Sequence, residues 1–547
     1  MMVDQVDFFN EKFRDLNLNI SCGDNNYIVS GEISSKQIEF ICDLPESFPY
    51  VFPRVVISPK TRETLSNIPH VNSDLSLCLF DSEKDIPNFD APLCLIEATI
   101  RKAYEVLQKG IENKNEEDFY DEFNAYWTKD VKLKFFSDVE FQNSVIKLKV
   151  YIGETGNYIS SNVDNCIRLA KARYESPKDS DVQDCIYIPL KEPCYQDALI
   201  TQRDFQYIMR EKSSYYSEYT RFLQKRTAEK SLILFSQPKD NGYIVSGFLH
   251  GKINMAPGFR KGKTPLGVAL AGKDGLKRVE RINIVDVSQK RLFFRGGTGD
   301  SFFNKSVGLV GCGSLGSNLA ETLLSCGCYK FSLYDNQILT ADNIARHACG
   351  FSNIGLNKTE ALKNKLVRHN PNAIVKTAND DIHNILNTTP EILNGDDFLI
   401  LTVANTPIEY RFAEQKLKGE INIPVIIMWV EPYALAAHAL VLNKPQNIYK
   451  ELFTRDYMFL NSIVLNGEKY YKRETGCQST FMPYSGLDVK DFTISFSKFF
   501  TSDKCESSNN YHFLWTGDIA NYEKHNVEIV PKAYELESYR SYIERID

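Results

Sequence analysis

Apolar residues recur at helical spacing in the opening stretch, where Val6, Phe9, Phe13 and Leu16 fall three or four positions apart and predict an amphipathic helix. Apolar runs at 27–31, 37–41 and 54–58 then predict strands. Before the last of these, Pro45, Pro49 and Pro53 forbid helix and force an extended edge. Helical spacing returns over 95–108 and 116–127, and the stripe Phe119, Phe123 and Trp127 predicts a face packed on a sheet. From about 130 to 290 the pattern mixes strands at 145–151, 185–190, 231–235 and 243–248 with one long helix over 202–225. Beyond that, an apolar strand at 307–310 runs into a glycine turn and a helix-like stretch at 317–325. Strands at 331–334, 398–403 and 424–430 and a stretch at 434–442 predict a largely parallel sheet.

Length turns these elements into domains, because 547 residues exceed what one hydrophobic core organises. The expected division is 1–130, 131–290 as a connecting α+β domain, and 291–547, an α/β and α+β multidomain protein. With 43% hydrophobic and 25% charged residues and a net charge of −7, the composition is that of a soluble globular protein and speaks against nucleic acid as the main partner. The N-terminus lacks a signal-peptide pattern and no run of about 18 apolar residues offers a membrane span, so a cytoplasmic protein is expected. The 13 cysteines show no C-x-x-C pairs that would suggest zinc, and reduced thiols are expected. Cys42 and Cys94 stand in apolar runs and read as core.

The turn after 307–310 carries Gly311, Gly313 and Gly316 in G-x-G-x-x-G spacing, which allows close approach of a phosphate to a helix N-terminus. Alone, the motif fits NAD at least as well as ATP. Asp335 ends the next strand, where a carboxylate accepts hydrogen bonds from a ribose. Asn343, Arg346 and Lys358 follow, and the two cations suit a triphosphate attacked at its α-phosphorus better than a dinucleotide.

Over 306–370, G-C-G-S-L-G, Y-D-N, D-N-I-A-R-H and N-I-G-L-N-K-T-E-A-L together resemble the ThiF/MoeB-type adenylating enzymes that activate ubiquitin-like C-termini. The resemblance implies a Rossmann-like adenylation domain that binds ATP with Mg2+ and forms AMP as an adenylate. Asp335 would hold the ribose, Arg346 and Lys358 the phosphates, and Asn343 would help position them. His347 is assigned no role. Family members place an arginine in the lead-in to the first strand, where it reaches the neighbouring subunit's triphosphate, and Arg295 is the candidate, with a homodimer implied. The sequence departs from the family at 399–405, which has no aspartate for magnesium; Asp380, Asp381, or the phosphates with water would serve instead.

The helix, meander and proline-rich edge of the N-terminal region, with I-P-H-V-N-S-D-L-S-L-C-L at 68–79, resemble the ubiquitin-conjugating fold. In that resemblance Cys78 is the active cysteine and His70 falls where the family has asparagine, able to steady an oxyanion or orient an amine. In ubiquitin-type activating enzymes a thioester-forming cysteine stands in a crossover loop with a proline six residues on, and Cys477 and Pro483 keep that interval. Cys505 is the rival, read as a surface bystander.

The whole order, with the R-H pair at 346–347 and the basic loop G-F-R-K-G-K at 258–263, resembles the fused activating and conjugating proteins of bacterial CBASS antiphage operons. That implies a ligase relay whose activated partner is the C-terminus of a cGAS-like nucleotidyltransferase, joined to an amine on a target protein. Two other readings stand beside it: an adenylyltransferase for sulfur-carrier activation, and a non-enzymatic scaffold.

Overall fold

The computed structural model describes residues 2–546 except 66–67, 73, 82, 116–117, 119–122, 129–130, 193–200, 226–228, 240–241, 254–257, 261–263, 295–301, 474–479, 503–504 and 506–507. Arg295, Cys477, Phe119 and residues 261–263 of the basic loop therefore lie outside the described residues. Contacts divide the protein into two units, one of 1–135, 141–148 and 184–284, the other of 136–140, 149–183 and 285–547.

In the first unit, α1 (Met2–Lys12) precedes a four-stranded antiparallel meander in sequence order, β1 (Asn19–Cys22), β2 (Asn26–Ile33), β3 (Lys36–Asp43) and β4 (Arg54–Ile57). Strand alternation puts Tyr27, Val29 and Ile33 of β2 and Ile38, Phe40 and Cys42 of β3 on the buried face, as period-two patterning requires. Phe9 and Phe13 close one part of that core, and α2 (Pro92–Ile111) covers it with Ile96, Ile100, Ala103 and Leu107, which share a helical face. Cys94 is exposed, contrary to expectation. It occupies the first turn of α2, where Leu95 and Ile96 take the inward positions.

Phe123 and Trp127 are buried, and they pack edge-on against Phe235, while the Trp127 indole N–H donates to the Gly247 carbonyl at 3.1 Å. They thus belong to the core built on the hairpin Lys230–Lys239 and Gly242–Gly251. The expected single helix over 202–225 is two, Gln202–Lys212 and Tyr216–Lys225. Ser213 breaks it with an extended backbone, its hydroxyl donating to the Pro189 carbonyl at 2.9 Å and accepting the Tyr215 N–H at 3.1 Å.

The second unit is built on an eight-stranded sheet. Its strands are β5 (Ser306–Val310), β6 (Lys330–Tyr334), β7 (Ile374–Ala378), β8 (Phe398–Leu401), β9 (Val425–Val430), β10 (Ala436–Leu442), β11 (Asn510–Thr516) and β12 (Ser541–Ile546). Their order is β7-β6-β5-β8-β9-β10-β11-β12. The first five are parallel and the last three antiparallel, so the stretch after 434 reverses direction instead of continuing a parallel sheet. The reason is connection length: only the short turn 431–435 joins β9 to β10, too few residues for the crossover a parallel neighbour needs. The helices α3 (Ser314–Ser325), α4 (Lys358–His369), α5 (Ile382–Thr388), α6 (Thr406–Lys418) and α7 (Gly486–Phe500) accompany this sheet. Strands β5, β6, β8 and β10 contribute inward residues to two apolar clusters, as strands covered on both sides do. Cys505 is half-buried against one of them, not a surface residue.

Candidate functional site

Strand order reverses between β5 and β8, and it is at such a switch point, outside the carboxyl ends of the strands, that open α/β sheets bind ligands. A cleft of about 210 Å³ opens there. Gly311 follows β5 with φ of +94°, a left-handed conformation that glycine adopts without strain, and the Thr402 hydroxyl donates to its carbonyl at 2.7 Å. Gly316 lies one turn into α3, where a methyl group would run into the Gly311 carbonyl oxygen and stand 2.6 Å from Thr402 Oγ1. Nothing stands within 4 Å of where a side chain of Gly313 would begin, so the backbone beside the N-terminus of α3 is open to the cleft.

Asp335 lines the same cleft and pins the turn, for its Oδ2 accepts the Cys312 N–H at 2.7 Å and its Oδ1 the Gln337 N–H at 2.8 Å. Each oxygen keeps further lone-pair capacity, which is what a ribose hydroxyl requires. Lys358 is the first residue of α4 and only 7% exposed, yet its ammonium meets a neutral amide, Gln337 Oε1, at 2.6 Å. A buried cation so weakly compensated, lining a cleft, suits an incoming anion. Val403 and Ile408 supply an apolar wall.

His347 serves the turn from behind. The Cys349 N–H donates to its Nδ1 at 2.9 Å, which leaves the proton on Nε2 to donate to the Cys312 carbonyl at 2.7 Å. Burial holds its pKa below the usual histidine value. Unfolded molecules take up that proton as pH falls through about 6.5 while the native imidazole resists it, so this residue's contribution to stability is present above that pH and is lost below it. The stability advantage of the wild type over His347→Asn, read from urea midpoints, should therefore shrink between pH 7.5 and 5; an unchanged difference would contradict the neutral assignment.

Asn343 and Arg346 do not line the cleft. Asn343 Oδ1 accepts from the Thr340 N–H and hydroxyl at 3.1 and 3.3 Å, closing a short capping turn. The Arg346 guanidinium donates to the Met482 carbonyl at 3.0 Å and stacks on Tyr484. Asp380 and Asp381 are exposed at the cleft, with Asp381 capping α5 through the His383 N–H at 2.7 Å. Among the described residues no group of three or more His, Cys, Asp or Glu is placed to hold a metal ion.

A second cleft, of about 510 Å³, is set in the first unit around Cys78. Cys78 is exposed, its N–H donating to the His70 carbonyl at 2.9 Å, next to an isolated bridge between Val71 and Leu77. His70 takes a left-handed φ of +64°, and its imidazole pairs with Asp118 at 3.0 Å. Asn72, which no motif singles out, lines the cleft together with Cys78. It is held by Ser76, whose hydroxyl accepts the Asn72 amide at 3.0 Å and itself donates to Asp74 at 2.6 Å. The Ser76 hydroxyl and N–H, helped by Arg54, keep the Asp74 carboxyl down at about 2, so this brace stays ionised at neutral pH. A polar side chain six residues before the cysteine was the only signal of Asn72 in the sequence. Phe52 and Phe80, stacked at 3.9 Å, form an aromatic wall of the cleft.

With this geometry in place, comparison with known proteins is direct. Residues 289–456 match the ThiF family and residues 22–136 match the prokaryotic E2 family B. The ATP-dependent ubiquitin transferase-like protein Cap2 of Vibrio cholerae is 27% identical over 230 residues, 40% of this chain and 36% of the relative. Cap2 of Pseudomonas aeruginosa is 27% identical over 175 residues, 31% of this chain and 30% of the relative. The ubiquitin-like modifier-activating enzyme 5 of Caenorhabditis elegans is 34% identical over 95 residues, 17% of this chain and 21% of the relative. The matched stretches thus span little more than a third of these relatives' length at most. The protein joins an E2-like domain to a Rossmann-like ThiF domain, as its motifs led one to expect. No helix among the described residues is long and apolar enough to cross a membrane.

Proposed function

We propose that this fusion of an E2-like domain with a ThiF domain is an ATP-dependent protein ligase of the CBASS type, working in the cytoplasm. One observation carries the reading: a single polypeptide holds a phosphate-type cleft with a buried lysine and an exposed cysteine in a cleft of its own. A partner's C-terminal carboxylate oxygen attacks the α-phosphorus of ATP; the bond to the β-phosphate breaks and pyrophosphate leaves. Gly313 and the α3 N-terminus face the phosphates, Lys358 and Arg346 offset their charge, and Asp335 binds the ribose. The Cys477 thiolate then takes the acyl group and AMP leaves; the Cys78 thiolate takes it from Cys477, and a target amine displaces Cys78 to form an amide. Each thioester splits one hard acyl transfer into easier steps, and fusion raises the effective concentration of the second thiol. Arg295 reaches across a homodimer. The partner we assign is a cGAS-like nucleotidyltransferase.

The test is ATP–pyrophosphate exchange with a C-terminal peptide of such a nucleotidyltransferase. Exchange should need the peptide's free carboxylate and vanish with its C-terminal amide. Exchange of equal rate without peptide would sink the proposal.

The braced amide of Asn72 is the better-placed donor for the oxyanion formed when the amine attacks, His70 being engaged by Asp118. Asn72→Ala should slow discharge of the Cys78 thioester on the order of 10²-fold while leaving its formation intact. His70→Gln should cost less; the reverse ranking in a single-turnover discharge assay would return the role to His70.

A further inference from the structure

Glu409 is a carboxylate in an apolar place. It stands in the first turns of α6, is 9% exposed, shares that helix with the core residues Phe412 and Ala413, and lies near Tyr449. Its Oε1 accepts the Asn405 N–H at 3.1 Å, and no described cation offsets its charge. Asn405 is exposed, so water could serve that N–H; burying a carboxylate to do so costs the fold more than it returns. What the contact holds is the loop after β8. Thr402 ties its start to the glycine turn, its N–H donating to the Val310 carbonyl at 2.9 Å and its hydroxyl to the Gly311 carbonyl at 2.7 Å. Ala404 takes a left-handed φ of +50°, which a residue with a Cβ keeps only where its flanks are fixed. Asn405 fixes the second flank: its carbonyl accepts the Glu409 N–H at 3.0 Å and its Oδ1 the Ile408 N–H at 3.2 Å. Thr402, Val403, Asn405 and Ile408 all line the cleft that holds Lys358.

We infer that Glu409 is a positioning residue for the nucleotide cleft: its ionised carboxylate fixes the 402–405 loop, and with it the apolar wall of Val403 and Ile408, in the shape that the nucleotide meets. The inference rests on the proposed function in taking this cleft as the nucleotide's. A hydrogen bond to a charged acceptor is stronger than one to a neutral acceptor, so a protonated or amide side chain holds the Asn405 N–H less firmly. Burial pushes the Glu409 carboxyl up to about 7, with the Asn405 N–H pulling it part of the way back. The titratable groups around it are Tyr410 and Lys416 on α6 and Tyr449 on the short helix Ile448–Glu451; β9, against which α6 packs, carries none. Burial and the Glu409 charge hold the Tyr449 phenol above its usual value, and the Lys416 ammonium is spent on the Ile423 carbonyl at 3.0 Å. A carboxyl raised in this way contributes its stability below the unfolded value of 4.5 and loses it as pH rises through about 7. The hold on Asn405 strengthens over that same rise, so fold and cleft pull in opposite directions.

The test compares Mg·ATP affinity of the wild type and Glu409→Gln, on the whole chain, between pH 6 and 8. At pH 8 the variant should bind about three- to ten-fold more weakly, the difference between a charged and a neutral acceptor, and at pH 6 the two should converge. Taking their ratio cancels the titration of ATP itself and of every other group. The urea midpoint should move the other way, the variant gaining over the wild type at pH 8 and losing that gain toward pH 5. A merely structural Glu409 would leave the affinity ratio flat with pH, and a flat ratio, or equal affinity at pH 8, overturns the inference. The wild type alone gives a second reading that needs no variant to fold. Hydrogen exchange at the Asn405 N–H, taken relative to the Ile408 N–H whose acceptor does not titrate, should be less protected at pH 6 than at pH 8; an unchanged ratio refutes the hold. If the wild type binds no Mg·ATP, or Lys358→Met binds it as well as the wild type does, the nucleotide assignment of the cleft has failed instead, a result distinct from either of these.

Discussion

Cys78→Ala is expected to halt the reaction with the partner's C-terminus held on Cys477 as an adduct that survives non-reducing gels and disappears with reductant. Loss of product should be complete, because Cys78 is the exposed described thiol that lines a cleft. Burial pushes the thiols of Cys42, Cys166 and Cys328 up to about 12 and those of Cys349 and Cys505 to about 11. A thiol at 12 is only about 10⁻⁵ ionised at neutral pH, and the thiolate is the nucleophile. Among the described cysteines only Cys78 and Cys94 are exposed, which makes Cys94→Ala, expected to behave as wild type, the matched control. Cys477→Ala should stop one step earlier, retaining pyrophosphate exchange and forming no thioester, since the adenylate needs neither cysteine. Replacing Cys78 by lysine should trap the partner as a stable isopeptide. Product forming at the normal rate in Cys78→Ala would end the two-thiol relay and leave Cys477 acting alone.

Lys358→Met should weaken ATP binding and pyrophosphate exchange ten-fold or more, as expected when a charge-assisted phosphate contact worth about 1.5–3 kcal/mol is removed. The same substitution should leave the urea midpoint unchanged or raised. A buried ammonium whose hydrogen bond goes to the Gln337 amide contributes little to the empty fold, and a methionine of similar length fills the space without a charge to desolvate. Opposite signs for binding and stability mark a residue kept for its ligand. Unaltered ATP affinity would remove Lys358 from the site, and a large fall in stability would make it structural.

The two folds were legible because each rests on local signals that survive without tertiary information. The switch of hydrophobic period, the clustered prolines and the glycine spacing before α3 are set by backbone sterics and burial within a few residues of one another. Side-chain direction was not legible. Arg346 carries the same charge whether it lies over phosphates or over Tyr484, and only the packing of 482–484 beside α3 decides between them. Cys94 and Cys505 were misplaced for the same reason: an apolar or polar neighbourhood in sequence says little about which face of a helix, or which side of a loop, a thiol occupies.

Sequence alone determined that a meander with a cysteine-bearing loop stands ahead of a Rossmann-like sheet, and that Asp335 and Lys358 follow its glycine turn. Their periodicity and spacing are properties of the sequence itself. Tertiary structure decided what those residues meet: Asp335 bracing the Cys312 and Gln337 amides, Lys358 buried against Gln337, and His347 locked neutral behind the turn. It also decided that Asn72, not the His70 ring, shares a described cleft with Cys78. Hydrogen-bond partners and burial arise between segments distant in sequence, such as residues 312 and 335 or 346 and 482, and no local pattern encodes which of several competent donors arrives first.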